Sequence, residues 1–133
     1  MKKHIIILTI GLAVLACKEE SDPATPDLTP AEMISRTWKT QLVTINGQAD
    51  NTTDYSAYRF TFNQNQTYRF TMPDTQEGNW ELIANASALT LDKGTDREQR
   101  VEVQTLTETE LHLEFTEKSD KTGTRRILYA LVP

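Results

Sequence analysis

The chain has 133 residues, one cysteine, two histidines and a formal net charge of −5. That length sets a prior of one domain, and a single cysteine excludes an internal disulfide and any multi-cysteine zinc site. The acidic balance speaks against a nucleic-acid partner, whose phosphates have to be met by clustered Lys and Arg. In chain order, Met1 to His4 read Met-Lys-Lys-His, and Ile5 to Ala16 follow without a charge and with Thr9 as their one polar side chain. This run is too short to cross a bilayer core of roughly 30 Å as a helix, which takes about 20 residues. It matches the basic start and apolar stretch of a secretory signal peptide.

The run closes on Val14-Leu15-Ala16-Cys17, with a small residue directly before the only cysteine. This resembles the lipobox of bacterial lipoproteins, with Val14 where leucine is commoner. The resemblance implies removal of residues 1–16, acylation of Cys17 and a membrane partner reached through lipid rather than through a helix. Two or more acyl chains make such an attachment stable. Lys18-Glu19-Glu20 is similar to the lipoprotein export signal of Bacteroidetes, which implies the outer membrane and its outer face. Residues 17–29 are polar, contain Pro23 and Pro26, and read as an extended tether of about 3 Å per residue.

The folded unit is expected over 30–133. Thr29-Pro30-Ala31-Glu32 combines a capping residue, a proline suited to the first helical position and the acid that completes a capping box. It predicts a helix of one or two turns ending near Arg36. Alternation then takes over. Tyr58, Phe60 and Phe62 alternate with polar residues, as do Tyr68, Phe70 and Met72, and Leu111, Leu113 and Phe115. A period of two, apolar in and polar out, marks half-buried antiparallel strands.

Eight strands are expected, at about 37–46, 57–63, 67–73, 78–84, 87–92, 99–107, 110–117 and 124–132. Turn residues separate them: Asn46-Gly47, Asn63 to Gln66 with Asn65 suited to positive φ, Pro73-Asp74, Asn85, Lys93-Gly94, Thr107-Glu108 and Asp120 to Gly123. Gly47 to Ser56 is polar and reads as a mobile loop. In the last strand either Ile127, Tyr129 and Leu131 or Leu128, Ala130 and Val132 face inward. Short sequential connections make the chain all-β, an eight-stranded antiparallel up-and-down barrel behind a short N-terminal helix, with a β-sandwich as the competitor. A monomer is expected.

Trp38 after the helix, Tyr58-Arg59-Phe60-Thr61-Phe62-Asn63, Gly78-Asn79-Trp80-Glu81-Leu82, Leu89-Thr90-Leu91 and Leu106-Thr107-Glu108-Thr109-Glu110-Leu111 together resemble the small lipocalin-like domain of Bacteroidetes lipoproteins. The likeness covers nearly all of 30–133. Two positions depart from it: the glycine often found two residues before the first tryptophan is Arg36, and the glycine usual in the second hairpin is Gln66. The resemblance implies that Trp38 plugs one end of the barrel beneath a cation, Arg125 or Arg126.

Catalysis is not expected. Loss of residues 1–16 leaves His112 as the one histidine, flanked by Glu110 and Glu114 on a polar strand face, and acylation removes the one thiol. Glu98 and Glu102 share a strand face but read as solvated charges. The chain carries no Gly-rich phosphate loop, paired histidines or Asp-rich calcium loop, so no cofactor or metal is expected. Binding is the better reading. An eight-stranded barrel is either filled by its own side chains or holds one small ligand. The inward set of Tyr58, Phe60, Phe62, Tyr68, Phe70, Met72, Trp80, Leu82 and Phe115 is apolar, with Tyr58, Tyr68 and the Trp80 indole as hydrogen-bonding handles for a small apolar or amphipathic ligand. If the barrel is filled, the chain becomes a structural or interaction lipoprotein. It would then meet a protein or glycan through the loops Gly47 to Ser56 and Lys93 to Glu98.

Overall fold

A computed structural model describes residues 27–133; the signal peptide, Cys17 and Lys18-Glu19-Glu20 lie outside the described residues. The first element is helix α1, Pro30–Ile34, and both halves of its capping box form. The Thr29 hydroxyl accepts from the Glu32 amide at 3.3 Å, and Glu32 accepts from the Thr29 amide at 2.8 Å. The helix stops two residues short of Arg36, where Ser35 leaves helical geometry and donates its hydroxyl to the Ala31 carbonyl at 2.6 Å.

Nine strands follow: β1 Thr37–Ile45, β2 Gln48–Ala49, β3 Arg59–Phe62, β4 Thr67–Met72, β5 Asp74–Ile83, β6 Ala88–Leu91, β7 Gln99–Leu106, β8 Leu111–Ser119 and β9 Gly123–Val132. Sequential neighbours pair antiparallel from β3 to β9, β1 pairs with β3, and β1 also pairs with β9. That last pairing closes eight strands into a barrel and satisfies the edges that an open meander leaves exposed. β2 stands outside the ring. It folds back on β1 through Asn46 and Gly47, both at positive φ (50° and 83°), the geometry of an Asn-Gly hairpin turn.

Four expectations need correction. The polar stretch 47–56 is not wholly loop: it begins as β2, and Asp50 then donates its amide to the Val43 carbonyl at 2.9 Å. β5 begins at Asp74 rather than near 78, because Pro73 alone turns the chain and Met72 pairs directly with Asp74. Gln66, not Asn65, takes the positive φ (64°) in the β3–β4 turn. Asn65 instead accepts from the Thr67 amide and hydroxyl at 3.2 and 2.7 Å. The fourth concerns the cation at Trp38, described below.

The open face of β9 is settled by register. Leu131, Tyr129 and Ile127 stand opposite the inward Leu111, Leu113 and Phe115, so the odd-numbered set faces in. On β1 a bulge between Thr40 and Leu42 resets the alternation, so Val43 is buried while Leu42 is 45% exposed.

The core is dominated by rings. Trp38, Phe60, Phe62 and Phe70 are fully buried and lie in one cluster with Tyr68, Trp80 and Phe115. Phe60 contacts Phe70 and Tyr129 at ring-centroid distances of 4.9 and 5.0 Å. Deleting such a ring removes transfer energy and leaves a cavity that a closed hydrogen-bonded wall cannot collapse into. Phe60→Ala is therefore expected to lower unfolding stability by about 3–5 kcal/mol in urea titrations. A loss below about 1 kcal/mol would mean that the interior is not packed as described.

Candidate functional site

The helix end of the barrel is shut. Ile34 and Trp38 are both fully buried there, and the Trp38 indole donates to the Ile34 carbonyl at 2.9 Å. The cation over the Trp38 ring is Arg36, at 5.4 Å from the centroid, where Arg125 or Arg126 was expected. Arg36 also donates to the Glu108 carbonyl at 2.9 Å, tying the helix exit to the β7–β8 turn. Arg125 stands at the other end of the molecule, 3.8 Å from Glu117, and the backbone of Arg126 exchanges hydrogen bonds with Asn46.

Of the expected interior residues, Phe60, Phe62, Tyr68, Phe70, Trp80 and Phe115 are buried together, and Tyr58, Met72 and Leu82 are half-buried around them. A chain of ring contacts runs Trp80–Phe62–Phe70–Phe60–Tyr129–Phe115, with centroid separations of 5.6, 5.3, 4.9, 5.0 and 5.6 Å. Ring pairs at these spacings are in van der Waals contact and contribute beyond simple burial. The bore is thus occupied by side chains along this path.

At the end of this path away from the helix lies a tyrosine cluster. Tyr58 precedes β3, Tyr129 is on β9, and Tyr55 comes from the 50–58 segment to meet both, at 4.9 and 6.4 Å between centroids. Tyr55 is positioned by Asp50, whose carboxylate accepts its hydroxyl at 2.5 Å and the Thr52 hydroxyl and amide at 2.6 and 2.9 Å. The Thr52 hydroxyl, followed by Tyr55 and the Thr52 amide, holds the Asp50 carboxyl far below its ordinary range. The β8–β9 hairpin overhangs this end. Its inward ladder continues past Phe115 and Ile127 to Glu117 opposite Arg125. Burial, then the neighbouring Tyr55 and Tyr58 hydroxyls and Glu117, push the Tyr129 hydroxyl up to about 12, against the opposing pull of Arg125.

A second polar feature escaped the sequence reading. Asp92, 5% exposed, accepts from the Tyr68 hydroxyl at 2.8 Å and the Asn79 amide at 3.2 Å, with the Arg97 guanidinium at 3.5 Å. Burial, then this bond to Asp92, raises the Tyr68 hydroxyl to about 12. The space for the carboxylate exists because residue 78 is glycine: a Cβ there would stand 1.7 Å from an Asp92 oxygen. Asp beside Lys-Gly reads as turn chemistry, which hid its role; Gly78, a residue without a side chain opposite Tyr68 within β5, was the one available signal.

On the outside, a cavity of ≈ 530 Å³ lies between α1, the β3–β4 turn and the lower end of β5, and one of ≈ 290 Å³ adjoins it along β5 and β6. Both share Gln66, Trp80 and Glu81.

A family model described as a lipocalin-like domain matches residues 34–113, from the end of α1 into β8. No curated protein matches the chain.

Two outcomes follow from the polar groups. Gly78→Ala is expected to lower stability by about 1–3 kcal/mol through overpacking against Asp92, as read by thermal melting, whereas an unchanged melt would place the carboxylate elsewhere. Tyr68 and Tyr129 both titrate near 12 in the folded chain, against about 10 when unfolded. Between those values the unfolded state has lost protons that the native state keeps, so their contribution is intact below pH 10 and is lost as pH rises from 10 through 12. A 295 nm absorbance titration should show Tyr68 and Tyr129 ionising late, with Tyr55 also raised by burial and then by its bond to Asp50; a titration complete near pH 10 would contradict the assignment.

Proposed function

The chain belongs to the lipocalin-like domain family, and from that premise we propose that it is a non-enzymatic envelope lipoprotein whose barrel takes a small amphipathic ligand at its open end. The observation that carries this reading is the pairing of a filled bore with a half-buried tyrosine mouth. Phe60, Phe70 and Phe115 occupy the depth of the barrel, while Tyr55, Tyr58 and Tyr129 stand above them with Glu117 and Arg125 overhanging. Aromatic walls with a few polar groups at the rim suit a molecule that has an apolar body and a polar head. Such a ligand seats shallowly, displacing Tyr55 rather than entering the bore.

Anchoring rests on the sequence: Cys17, freed by cleavage after Ala16, carries the lipid, residues 17–29 form the tether and 30–133 the monomeric domain, and Lys18-Glu19-Glu20 directs it to the surface of the outer membrane. A second reading, binding through the outer wall of a filled barrel, is favoured by the position of the α1–β5 cavity outside the bore.

Lipid-free residues 21–133 are expected to enhance the fluorescence of an anilinonaphthalene sulfonate dye, and Tyr129→Ala to weaken that binding at least fivefold. Dye binding unaffected by both Tyr129→Ala and Tyr55→Ala would contradict a mouth site. For the anchor, Cys17→Ser should abolish incorporation of radiolabelled fatty acid and release the protein from membranes, and a membrane-bound, labelled Cys17→Ser protein would refute it.

A further inference from the structure

The helix end of the barrel carries a groove that the mouth site does not use. The ≈ 530 and ≈ 290 Å³ cavities meet at Gln66, Trp80 and Glu81, which line both. Gln66 is held at φ 64°, a left-handed conformation in which an L side chain crowds its own backbone and glycine does not. The backbone on either side is committed: the Gln66 amide donates to Asn63 and its carbonyl accepts from Trp80. The turn therefore needs this geometry but gains nothing from a side chain. The Gln66 side chain therefore stands at the junction of two cavities with no part in forming the turn.

The chemistry of the lining narrows that use. The carboxylate of Glu32 is turned back onto the Thr29 amide and hydroxyl at 2.8 and 2.7 Å, and that of Glu81 is paired with Lys93 at 2.8 Å. The groups left to face a ligand are the carboxamides of Gln64, Gln66 and Asn79 and the Thr90 hydroxyl, which make no side-chain hydrogen bond within the described residues. A carboxamide sets a donor and an acceptor side by side in one plane. That array suits adjacent hydroxyl groups, and the one carboxylate left without a cation, Glu32, disfavours an anion. A peptide is less well served, because β4, β5 and β6 are paired on both sides and offer no free edge to extend.

We propose that this groove is a binding site for a neutral oligosaccharide, with Gln66 as its central contact. It is independent of the mouth, since α1 and the β3–β4 turn lie at the end of the barrel opposite Tyr55 and Tyr129.

The test is saturation-transfer difference NMR on the full chain in a sugar-free zwitterionic detergent, with cellotriose, xylotriose, maltotriose and chitotriose as probes and trigalacturonate as the charged comparator. At least one neutral trisaccharide is expected to receive saturation with a millimolar dissociation constant, and trigalacturonate none. Gln66→Gly keeps the turn geometry, so it should melt no lower than the parent while binding at least tenfold more weakly. Gln64→Ala, on the exposed turn, should weaken binding in the same direction. The bound sugar should leave the dye at the mouth in place, which separates the fate of this site from that of the other. Saturation of none of the four neutral probes, equal saturation of trigalacturonate, or undiminished binding by Gln66→Gly overturns the proposal.

Discussion

Everything in this molecule hangs on the filling of a closed ring of strands. The β1–β9 pairing fixes the circumference, and within it Trp80, Phe62, Phe70, Phe60, Tyr129 and Phe115 touch in succession. An eight-stranded barrel has a bore that side chains can just fill, and here rings do the filling. Their size makes the choice between core and cavity: a chain with leucine or alanine at Phe60 and Phe70 would leave room that this one does not. The consequence is that the surfaces left open to solvent are the ends and the outer wall.

The two ends solve different problems. At one, the capping box of Thr29 and Glu32 starts a helix long enough only to set Ile34 beside Trp38 of β1 as a plug, which Arg36 covers and ties to Glu108. At the other, half-buried tyrosines cover the rings in place of a helix. Asp50 holds Tyr55 against Tyr58 and Tyr129, and the long β8–β9 hairpin carries charge over them. Between the ends, one carboxylate is admitted into the wall. Asp92 is compatible with its burial because Tyr68, the Asn79 amide and Arg97 supply its partners and Gly78 supplies its space.

Most of the barrel was legible because alternation is a direct consequence of pleating: Tyr58 to Phe62, Tyr68 to Met72 and Leu111 to Phe115 announce their inward faces without reference to anything else. What was not legible depended on partners. Asp74 to Gly78 has no apolar alternation of its own and becomes strand only because β4 is there to pair with it. The face of β9 was ambiguous in a run apolar on both sides, and only its register with β8 decides for Ile127, Tyr129 and Leu131. Arg36 was noted for the glycine it replaces, yet its place over Trp38 needs the sharp exit from α1. Asp92 and Gln66 both looked like ordinary turn residues, and only the geometry shows one buried and the other strained.

The claim on which the account turns is that the bore is solid. A crystal of the domain pressurised with xenon tests it directly, since the gas enters apolar voids large enough to hold it and leaves packed interiors empty. A solid bore admits no xenon within the ring formed by Phe60, Phe70, Leu113 and Phe115. A well-occupied xenon site there would contradict it and show a cavity at the centre of the barrel.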